Sequence, residues 1–516
     1  MKKFSFYITE IEERFIKTQL AAMSPKAYPN LILNAAQRVA GLIQSLIYHN
    51  NGTEFKRRQY KMAIDTVMWS RLVTGMTLAF HVIFATLGVG IPLMIAIAEF
   101  IGIRKKDPHY TLMAKRWARG FVISVAVGVV TGTVISLQLA LVWPNFMKLA
   151  GNVIALPLFM EVFAFFFEAI FLGIYLYTWD RFKNPYIHWL LTIPIVIGAG
   201  MSAVFITTVN GFMNQPGGFV MEAGQFTAVD PVQAMLNTAT FSKVFHVLSS
   251  AYLTGAALLA GIAAFAMLRK GVSAYHKKAL NLMMAVVLLF GVLNTLAGDV
   301  SAKFLAEHQP EKLAAAEWHF ETESGADLIL MGWLNAEHEI LGALHLPKLL
   351  SFLAFGDFNA EVTGLEEFPQ DEWPPLLVHY LFDLMAGIGF ALLAIAVLYF
   401  LFVFWKKRNE LNKWMLRIIA LGAPLAFLAV ELGWFYAEIG RQPWIIRGIM
   451  RVEEAATSSP NIRILFFVFL LLYIVLGIMC VIVLRRLFNN NPAEVEMEKW
   501  LKEKPDPSTE KGGPAS

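Results

Sequence analysis

Nine stretches of the chain are almost continuously apolar, and polar residues separate them. A helix needs roughly 20 apolar residues to cross the hydrocarbon core of a bilayer. The stretches that meet this length are residues 72–101, 117–143, 154–178, 187–210, 241–267, 278–298, 376–405, 413–436 and 461–488. The pattern predicts an all-α integral membrane protein with about nine transmembrane helices and a long outer loop between helices 6 and 7.

Composition agrees with this prediction and excludes several other classes of protein. Hydrophobic residues make up 57% of the chain and charged residues 16%, whereas soluble domains carry about 25% charged residues. The single cysteine, Cys480, excludes a disulfide framework and a CxxC metal site. No basic cluster is interleaved with aromatic residues, so nucleic acid is not an expected partner.

Lysine and arginine orient the predicted bundle, because cytoplasmic loops of membrane proteins are enriched in both. The loops after the first, third, fifth and seventh spans are basic, with Arg104, Lys105, Lys106, Lys115, Arg116, Arg119, Arg181, Lys183, Arg269, Lys270, Lys277, Lys278, Lys406, Lys407, Arg408 and Lys413. Residues 211–240 contain neither lysine nor arginine. The C-terminus is therefore expected in the cytoplasm, and residues 299–375 outside.

The two ends of the chain differ from the bundle that they flank. Residues 1–61 contain the basic stretch "KRRQYK" and no signal-peptide core. One interpretation is that translation starts at Met62, with the N-terminus outside; the other is a genuine amphipathic extension. The predicted organisation is then helices 1–6 in 62–298, the outer loop in 299–375, helices 7–9 in 376–488 and a disordered cytoplasmic tail in 489–516.

Charged residues inside apolar spans need a reason, since each costs about 3 kcal/mol near the bilayer centre. In "AVELGWFYAEIGRQPW", the spacing places Glu431, Trp434, Glu438 and Arg441 on one helix face. In "PLFMEVFAFFFEAIF", Glu161 and Glu168 lie two turns apart. Either carboxylate pair alone is explained equally well by neutral carboxyls bonded between helices. Two such helices favour a proton path or a cofactor site.

Two histidines lie inside predicted spans next to small residues. These are His81, before Gly88 and Gly90, and His246, before Gly255. Each fits either a hydrogen bond between helices or a ligand to a large flat cofactor. Met385 is ordinary core filler by itself, yet His with Met is a known axial pair for haem. Other histidines at span ends or in loops, His109, His188 and His345, are predicted to be ordinary.

The outer loop contains a lysine and a carboxylate at opposite ends of a helix-prone stretch, "KLAAAE". One interpretation is that Lys312 and Glu317 bind and deprotonate a quinol head group. A solvated ion pair explains the same charge pattern equally well.

Together these stretches resemble subunit I of the cytochrome bd quinol oxidases, in the form with a short outer "Q-loop". The resemblance runs from Met62 to about Phe488. It includes "SRLVTGMTLAFH", "PLFMEVFAFFFE", "VFHVLSSAYLTGA", "GDVSAKFLAEHQPEKLAAAE" and, most specifically, "GRQPW". The resemblance implies a multi-pass subunit of a bacterial or archaeal cytoplasmic membrane that oxidises quinol, reduces dioxygen to water and generates a membrane potential.

The resemblance also implies roles for single residues. His81 and Glu438 would each ligate one high-spin haem, and His246 with Met385 the low-spin haem b; the set would be two haems b and one haem d. Glu161 and Glu168 would lie on the proton route, and Lys312 and Glu317 in the quinol site. Arg71 and Arg441 would neutralise haem propionates or charge near the haems. The implied partners are a second polytopic subunit and, in some assemblies, a small single-helix accessory subunit.

One residue departs from the family pattern. Asp383 stands two residues before Met385, where many members have arginine. An anion there cannot neutralise a propionate, so either His379, one turn back, compensates or the low-spin haem and quinol site differ. Two other classes remain as alternatives: a haem b electron-transfer subunit without oxygen chemistry, and a proton-coupled transporter.

Overall fold

The computed structural model describes residues 55–335, 337–406 and 412–503. By its contacts the chain divides into Met1–Met62 and Ala63–Ser516, and the description below concerns the second unit. Residues 1–54, which make up most of the predicted N-terminal extension, lie outside the described residues. The hypothesis of a start at Met62 therefore stays a prediction.

Helices account for nearly all of the bundle. They are α1 Phe55–Lys105, α2 Pro108–Val142, α3 Pro144–Tyr177, α4 Pro185–Leu190, α5 Thr192–Asn214, α6 Pro231–Met235, α7 Thr238–Lys270, α8 Ala274–His308, α9 Pro310–Glu317, α10 Leu349–Phe355, α11 Val378–Lys406, α12 Lys413–Ile439, α13 Val452–Ala455, α14 Ile462–Asn490 and α15 Ala493–Glu503. Within the described ranges, nine spans are long and apolar enough to cross a membrane, with α4 and α5 forming the fourth. The predicted fold class is confirmed.

Short antiparallel ladders lie between the spans. The strands are β1 Val220–Glu222, β2 Gln225–Thr227, β3 Glu323–Ser324, β4 Leu328–Leu330, β5 Trp333–Leu334, β6 Ile340–Leu341, β7 Leu344–Leu346, β8 Glu361–Val362, β9 Trp444–Ile446 and β10 Met450–Arg451. They pair as β1–β2, β3–β8, β4–β7, β5–β6 and β9–β10. Three of these ladders, together with α9 and α10, give the outer loop a fold of its own.

The sixth span is longer than the apolar pattern indicates. The sequence predicts its end at residue 298, yet α8 continues to His308. Lys303 donates to Asp299 at 2.7 Å one turn away along this extension, and Leu305 and Ala306 pack against apolar residues of the outer loop. The i,i+4 pair adds a few tenths of a kcal/mol to this apolar packing. The loop therefore begins near Gln309 rather than at 299.

Span α7 lies at the centre of the bundle, with a larger buried share of its apolar window, 67%, than any other described span. It meets α1 backbone to backbone at Gly90 and Gly255. A Cβ on Gly90 would lie 2.5 Å from the carbonyl oxygen of Ala251, and one on Gly255 would lie 3.1 Å from the Gly90 backbone. Only glycine permits this approach, as at close helix crossings in membranes generally.

The C-terminal tail contains structure that its composition does not predict. Instead of disorder from residue 489, helix α15 follows α14 after a short break. Glu496 accepts from Arg119 at 2.5 Å and lies 3.1 Å from Arg116, both on α2. The prediction of disorder is wrong for residues 493–503; residues 504–516 lie outside the described part.

Candidate haem and quinol sites

Glu438 lies near the end of α12 and is held from two sides. Its Oε1 accepts from Nδ2 of Asn210 on α5 at 2.8 Å, and its Oε2 accepts from Nη2 of Arg441 at 2.6 Å. Lys243 on α7 donates to Oδ1 of the same Asn210 at 3.0 Å. Each carboxylate oxygen can accept more than one bond. The carboxylate is therefore oriented while a lone pair stays available for a metal.

Arg441 does not belong to the helix that carries Glu438, because α12 ends at Ile439. The predicted stripe of four residues on one helix face is thus wrong at its last member, although the contact with Glu438 exists. Arg441 is 7% exposed, and its Nε and Nη1 have no hydrogen-bond partner among the described residues. Buried N–H groups of this kind are costly unless an acceptor binds them. They fit the carboxylates of a haem.

Two further groups within the spans also lack partners within the described chain. These are Nε of Arg71 on α1 and Oε1 of Glu431 on α12. Arg71 itself is half-buried, but its inaccessible Nε–H, like the unpaired N–H groups of Arg441, has the chemistry to bind a propionate.

His81 is held by its Nδ1, which lies 2.8 Å from Oγ1 of Thr131 on α2. The Thr131 hydroxyl donates to the carbonyl oxygens of Val127 and Gly128, at 3.0 and 3.1 Å. Its oxygen is therefore the acceptor for His81, and the imidazole proton sits on Nδ1. Nε2 is left unprotonated, which is the state in which histidine binds a metal.

His246 and Met385 lie on α7 and α11, two helices that both pack against α12. Nδ1 of His246 is buried and has no partner among the residues described. Met385 packs against Gly433 of α12, where a Cβ would lie 2.9 Å from the sulfur. Glycine thus provides the room that the thioether occupies. Both side chains keep their ligating atoms free of competing strong bonds.

The two carboxylates of α3 lie against α5. Glu161 accepts from Ser202 at 2.9 Å. Glu168 is 4% exposed, with Oε1 lacking a partner in the described chain. Gly198 brings the α5 backbone against it, since a Cβ there would lie 3.1 Å from the Cβ of Glu168. Such an unpaired buried carboxyl oxygen offers a site for water or a proton.

Lys312 and Glu317 of α9 are buried, at 4% and 2% exposed, so they do not form a solvated ion pair. Lys312 donates to the carbonyl of Ala437 at 3.3 Å and lies 4.7 Å above the ring of Tyr436. Burial, followed by the charges of Lys243 and Arg441, holds the pKa of Lys312 well below its usual range. Burial and the charge of Asp383 raise the pKa of Glu317 to about 8.

Asp383 faces the outer loop. Its Oδ2 accepts from the backbone N–H of Met331 at 2.6 Å and lies 3.5 Å from Nε2 of His379. His379 in turn contacts the carbonyl oxygen of Ala316 through Nδ1 at 2.7 Å, and Trp318 stacks on its ring at 3.9 Å. His379 thus does lie beside the unusual aspartate. Asp383 ties the loop to α11, next to Glu317.

Sequence reasoning missed several residues that complete these sites. Lys243 lies within the predicted fifth span, where a cation is itself a signal. Asn210 and Thr131 have no unusual pattern around them, and only the packing of helices brings them to Glu438 and His81. His188 was predicted to be ordinary, yet it is 6% exposed and lies 2.6 Å from Glu99. For His188, a glutamate within the first span was the one available signal, since intramembrane carboxylates are costly.

Comparison with known proteins identifies the family. The family model for cytochrome bd terminal oxidase subunit I matches residues 69–492. The chain is 40% identical over 442 residues to a Bacillus subtilis (strain 168) protein provisionally named cytochrome bd menaquinol oxidase subunit I, covering 84% of this chain and 99% of that protein. It is 33% identical over 437 residues to cytochrome bd ubiquinol oxidase subunit 1 of the same organism, covering 81% and 92%.

A solved structure agrees with both. The bd oxidase from Geobacillus thermodenitrificans shares 55% identity with this chain at a TM-score of 0.81, covering 83% of this chain and 99% of that one. The family model and the solved structure thus both cover the nine described spans and the outer loop between the sixth and seventh. The chain belongs to the cytochrome bd terminal oxidase subunit I family, and it is a haem-containing subunit of a membrane terminal quinol oxidase.

Proposed function

We propose that this subunit takes electrons from quinol at the outer loop and delivers them, through haems held in the bundle, to dioxygen, which is reduced to water. The observation that carries the proposal is the cluster of half-buried Glu438, Asn210 and Lys243 around the buried Arg441. It combines an oriented carboxylate with unpaired cationic N–H groups inside an apolar bundle. A haem b electron-transfer subunit or a transporter gives no reason for a carboxylate ligand of this kind.

The haems are proposed to be two of type b and one of type d. His81 and Glu438 would each hold a high-spin haem, and His246 with Met385 the low-spin one; Arg441 and Arg71 would bind propionates. When bound, haem supplies the oxygen binding and the electron transfer. The residues themselves fix ligand orientation, exclude water and neutralise charge. This assignment is supported by the free Nε2 of His81 and the unpartnered N–H groups of the two arginines.

The quinol site is proposed at α9. Oε2 of Glu317 is buried without a partner in the described chain, so it can accept the hydrogen bond of a quinol hydroxyl and then its proton. Lys312 would stabilise the negative charge left on the quinol oxygen. Since both side chains are buried, the outer loop must move before quinol reaches them. The donor is a quinol of either the menaquinol or the ubiquinol class.

The proposed orientation, with basic loops in the cytoplasm, determines on which side of the membrane protons are released and taken up. Glu317 would release quinol protons outside, while Glu161 and Glu168 would pass protons from the cytoplasm towards the oxygen site. Quinol oxidation releases protons outside and water formation consumes protons from the cytoplasm, so a membrane potential forms. A second polytopic subunit is proposed to complete the complex, with a small single-helix subunit as an optional addition.

The test is co-expression of this chain with its second subunit in a host that lacks other oxidases. We expect a reduced-minus-oxidised spectrum with low-spin haem b and a red-shifted chlorin band, and oxygen consumption with a quinol donor. Comparing menaquinol and ubiquinol analogues identifies the donor. Membranes with no haem signal would overturn the oxidase function, and a missing chlorin band would remove haem d.

A further inference from the structure

Three side chains form a buried group where α1, α3 and α4 meet, at the end of the bundle that carries the basic loops. Oε1 of Glu99 lies 2.6 Å from Nδ1 of His188, and Oε2 of Glu99 accepts from the Tyr175 hydroxyl at 2.7 Å. Nε2 of His188 lies 3.0 Å from the backbone carbonyl oxygen of Tyr175. All three side chains are less than a tenth exposed.

Hydrogen-bond donors and acceptors fix the number of protons in this group. A carbonyl oxygen only accepts, so Nε2 of His188 carries a proton. Oε2 of Glu99 already accepts from Tyr175. The short contact between Nδ1 and Oε1 therefore needs one more proton, held either by the imidazole or by the carboxyl. Glu99 and His188 thus share a proton beyond those of a carboxylate and a neutral histidine.

The surroundings isolate this shared proton. The Tyr175 and Trp179 rings lie 4.4 and 4.5 Å from the imidazole. Besides Glu99, the charge that acts on His188 is that of Asp180, in the turn after α3. Asp180 is exposed and pairs with Lys115 of α2 at 3.1 Å. The group is therefore enclosed by rings, with solvent and charged residues just beyond.

The group is in line with the two carboxylates of α3. Glu161, Glu168 and Tyr175 follow one another at intervals of seven residues, which keeps them on one helix face about 10 Å apart. Glu168 has an unpartnered buried oxygen, as described above. A gap of two turns exceeds a direct hydrogen bond, so water must bridge it.

We propose that Glu99 and His188 form a proton-loading site at the cytoplasmic entrance of the route to Glu168, with Tyr175 as a positioning residue. One proton leaves the pair towards Glu168 through water, and one proton from the cytoplasm replaces it, so the charge of the pair is restored. The proposal rests on the proposed function, because only an oxygen-reducing site consumes these protons. If the group only held the helices together, it would need the same hydrogen bonds, but the shared proton would not have to be transferable.

The sharpest variant is Glu99→Gln in the assembled oxidase. The carboxamide can donate to Nδ1 of a neutral imidazole and accept from Tyr175, so the packing is kept while the shared proton is lost. The measurement is proton uptake by inside-out vesicles after an oxygen pulse to the reduced enzyme, followed with a pH-indicating dye. Haem spectrum, KM for quinol and the solvent deuterium isotope effect are measured beside it.

We expect Glu99→Gln and His188→Gln to slow proton uptake roughly tenfold or more, to raise the isotope effect, and to leave the haem spectrum and KM unchanged. His109→Gln is the matched control, since His109 also binds a carboxylate, Asp107, at the same end of the bundle. Uptake at the unaltered rate in Glu99→Gln, or equal slowing in His109→Gln, overturns the proposal. If the enzyme without substitutions contains no haem, or does not oxidise quinol, the proposed function itself is overturned. If Glu99→Gln does not assemble, His188→Gln decides in the same way.

Discussion

Arg441 donates to Glu438 at 2.6 Å, although the two residues lie on opposite sides of the end of α12. The guanidinium thereby links a residue outside the helix to the carboxylate on its last turn, and its Nε and Nη1 have no partner among the described residues and can bind an anion. This single contact joins the expected ligand of one haem to the expected anchor of its propionate.

Replacing Glu438 with alanine should remove one high-spin haem while the low-spin haem remains, because the ligand is lost and both Arg441 and Lys243 lose their nearest anion. The measurement is the haem content of the purified complex by pyridine haemochrome and its carbon monoxide difference spectrum. Glu431→Ala is the control on the same helix. A full haem complement in the Glu438 variant would contradict the ligand assignment.

Thr131→Val should weaken haem binding at His81 by on the order of tenfold or more. Valine has the shape of threonine but cannot accept from Nδ1, so the imidazole proton is free to move to Nε2. Thr133→Val is a close control: Thr133 is exposed on the same helix and its hydroxyl also donates one turn back, at 2.9 Å. Haem retention during washing with apomyoglobin measures the difference, and equal retention in both variants would refute the tautomer argument.

Quinol oxidation should accelerate with pH up to about 8. Burial, with the charge of Asp383, raises the pKa of Glu317 from 4.5 to about 8, so the basic form that accepts a proton appears only above neutrality. Because the pKa is higher in the folded than in the unfolded chain, the protonated Glu317 side chain also contributes to the free energy of unfolding. This contribution is complete below pH 4.5 and is lost as the pH rises towards 8. Glu317→Gln should remove both dependences.

Two measurements check this: the pH profile of kcat with a quinol analogue, and thermal unfolding between pH 5 and 9. The exposed Glu307 provides a control, and Glu307→Gln should keep both profiles. A rising limb that survives in Glu317→Gln would exclude Glu317 as the base.

Asp383→Ala should destabilise the outer loop by about 0.5–1.5 kcal/mol, because the backbone N–H of Met331 loses its hydrogen-bond acceptor. The KM for quinol should rise, because the released loop lies beside Glu317. Asp383→Asn retains an acceptor and should behave more mildly. Proteolysis of the loop and steady-state kinetics report the two effects; identical behaviour of the alanine and asparagine variants would show that charge, not anchoring, is what matters at this position.

Glu496→Ala should lower the stability of the complex by about 2 kcal/mol, because Arg116, 7% exposed, loses its carboxylate. Glu498→Ala breaks an exposed pair with Lys502 on the same helix and should cost less than about 0.5 kcal/mol. Thermal unfolding in detergent compares them. Equal melting temperatures would mean that α15 contributes nothing to the bundle.

The spans were predictable because a bilayer demands long apolar runs, and their number agrees with the structure. What the apolar pattern does not contain are polar helices held by contacts from elsewhere. Glu496 stabilises α15 only because α2 supplies Arg116 and Arg119, and the last turns of α8 pack Leu305 and Ala306 against apolar residues of the outer loop. Both features depend on partners that composition alone does not reveal.

The candidate sites show the same limit. Helical spacing placed Glu161 with Glu168, and Glu431 with Glu438, since such pairs share one helix. Asn210 reaches Glu438 across 228 positions, and Thr131 reaches His81 across 50, so no local pattern indicates them. Burial likewise excludes a solvated ion pair for Lys312 and Glu317, one of the two interpretations that the charge pattern left equal, and the quinol role stays a prediction.

The glycine crossing of α1 and α7 has a geometric consequence for the two histidines. Gly90 follows His81 by nine residues, and Gly255 follows His246 by nine residues. Because these are the first and fifth spans, the two helices run in the same direction, and each histidine stands roughly 13 Å above the crossing point. Because both histidines lie equally far along their helices from this contact, the contact places both imidazoles at the same depth in the bilayer.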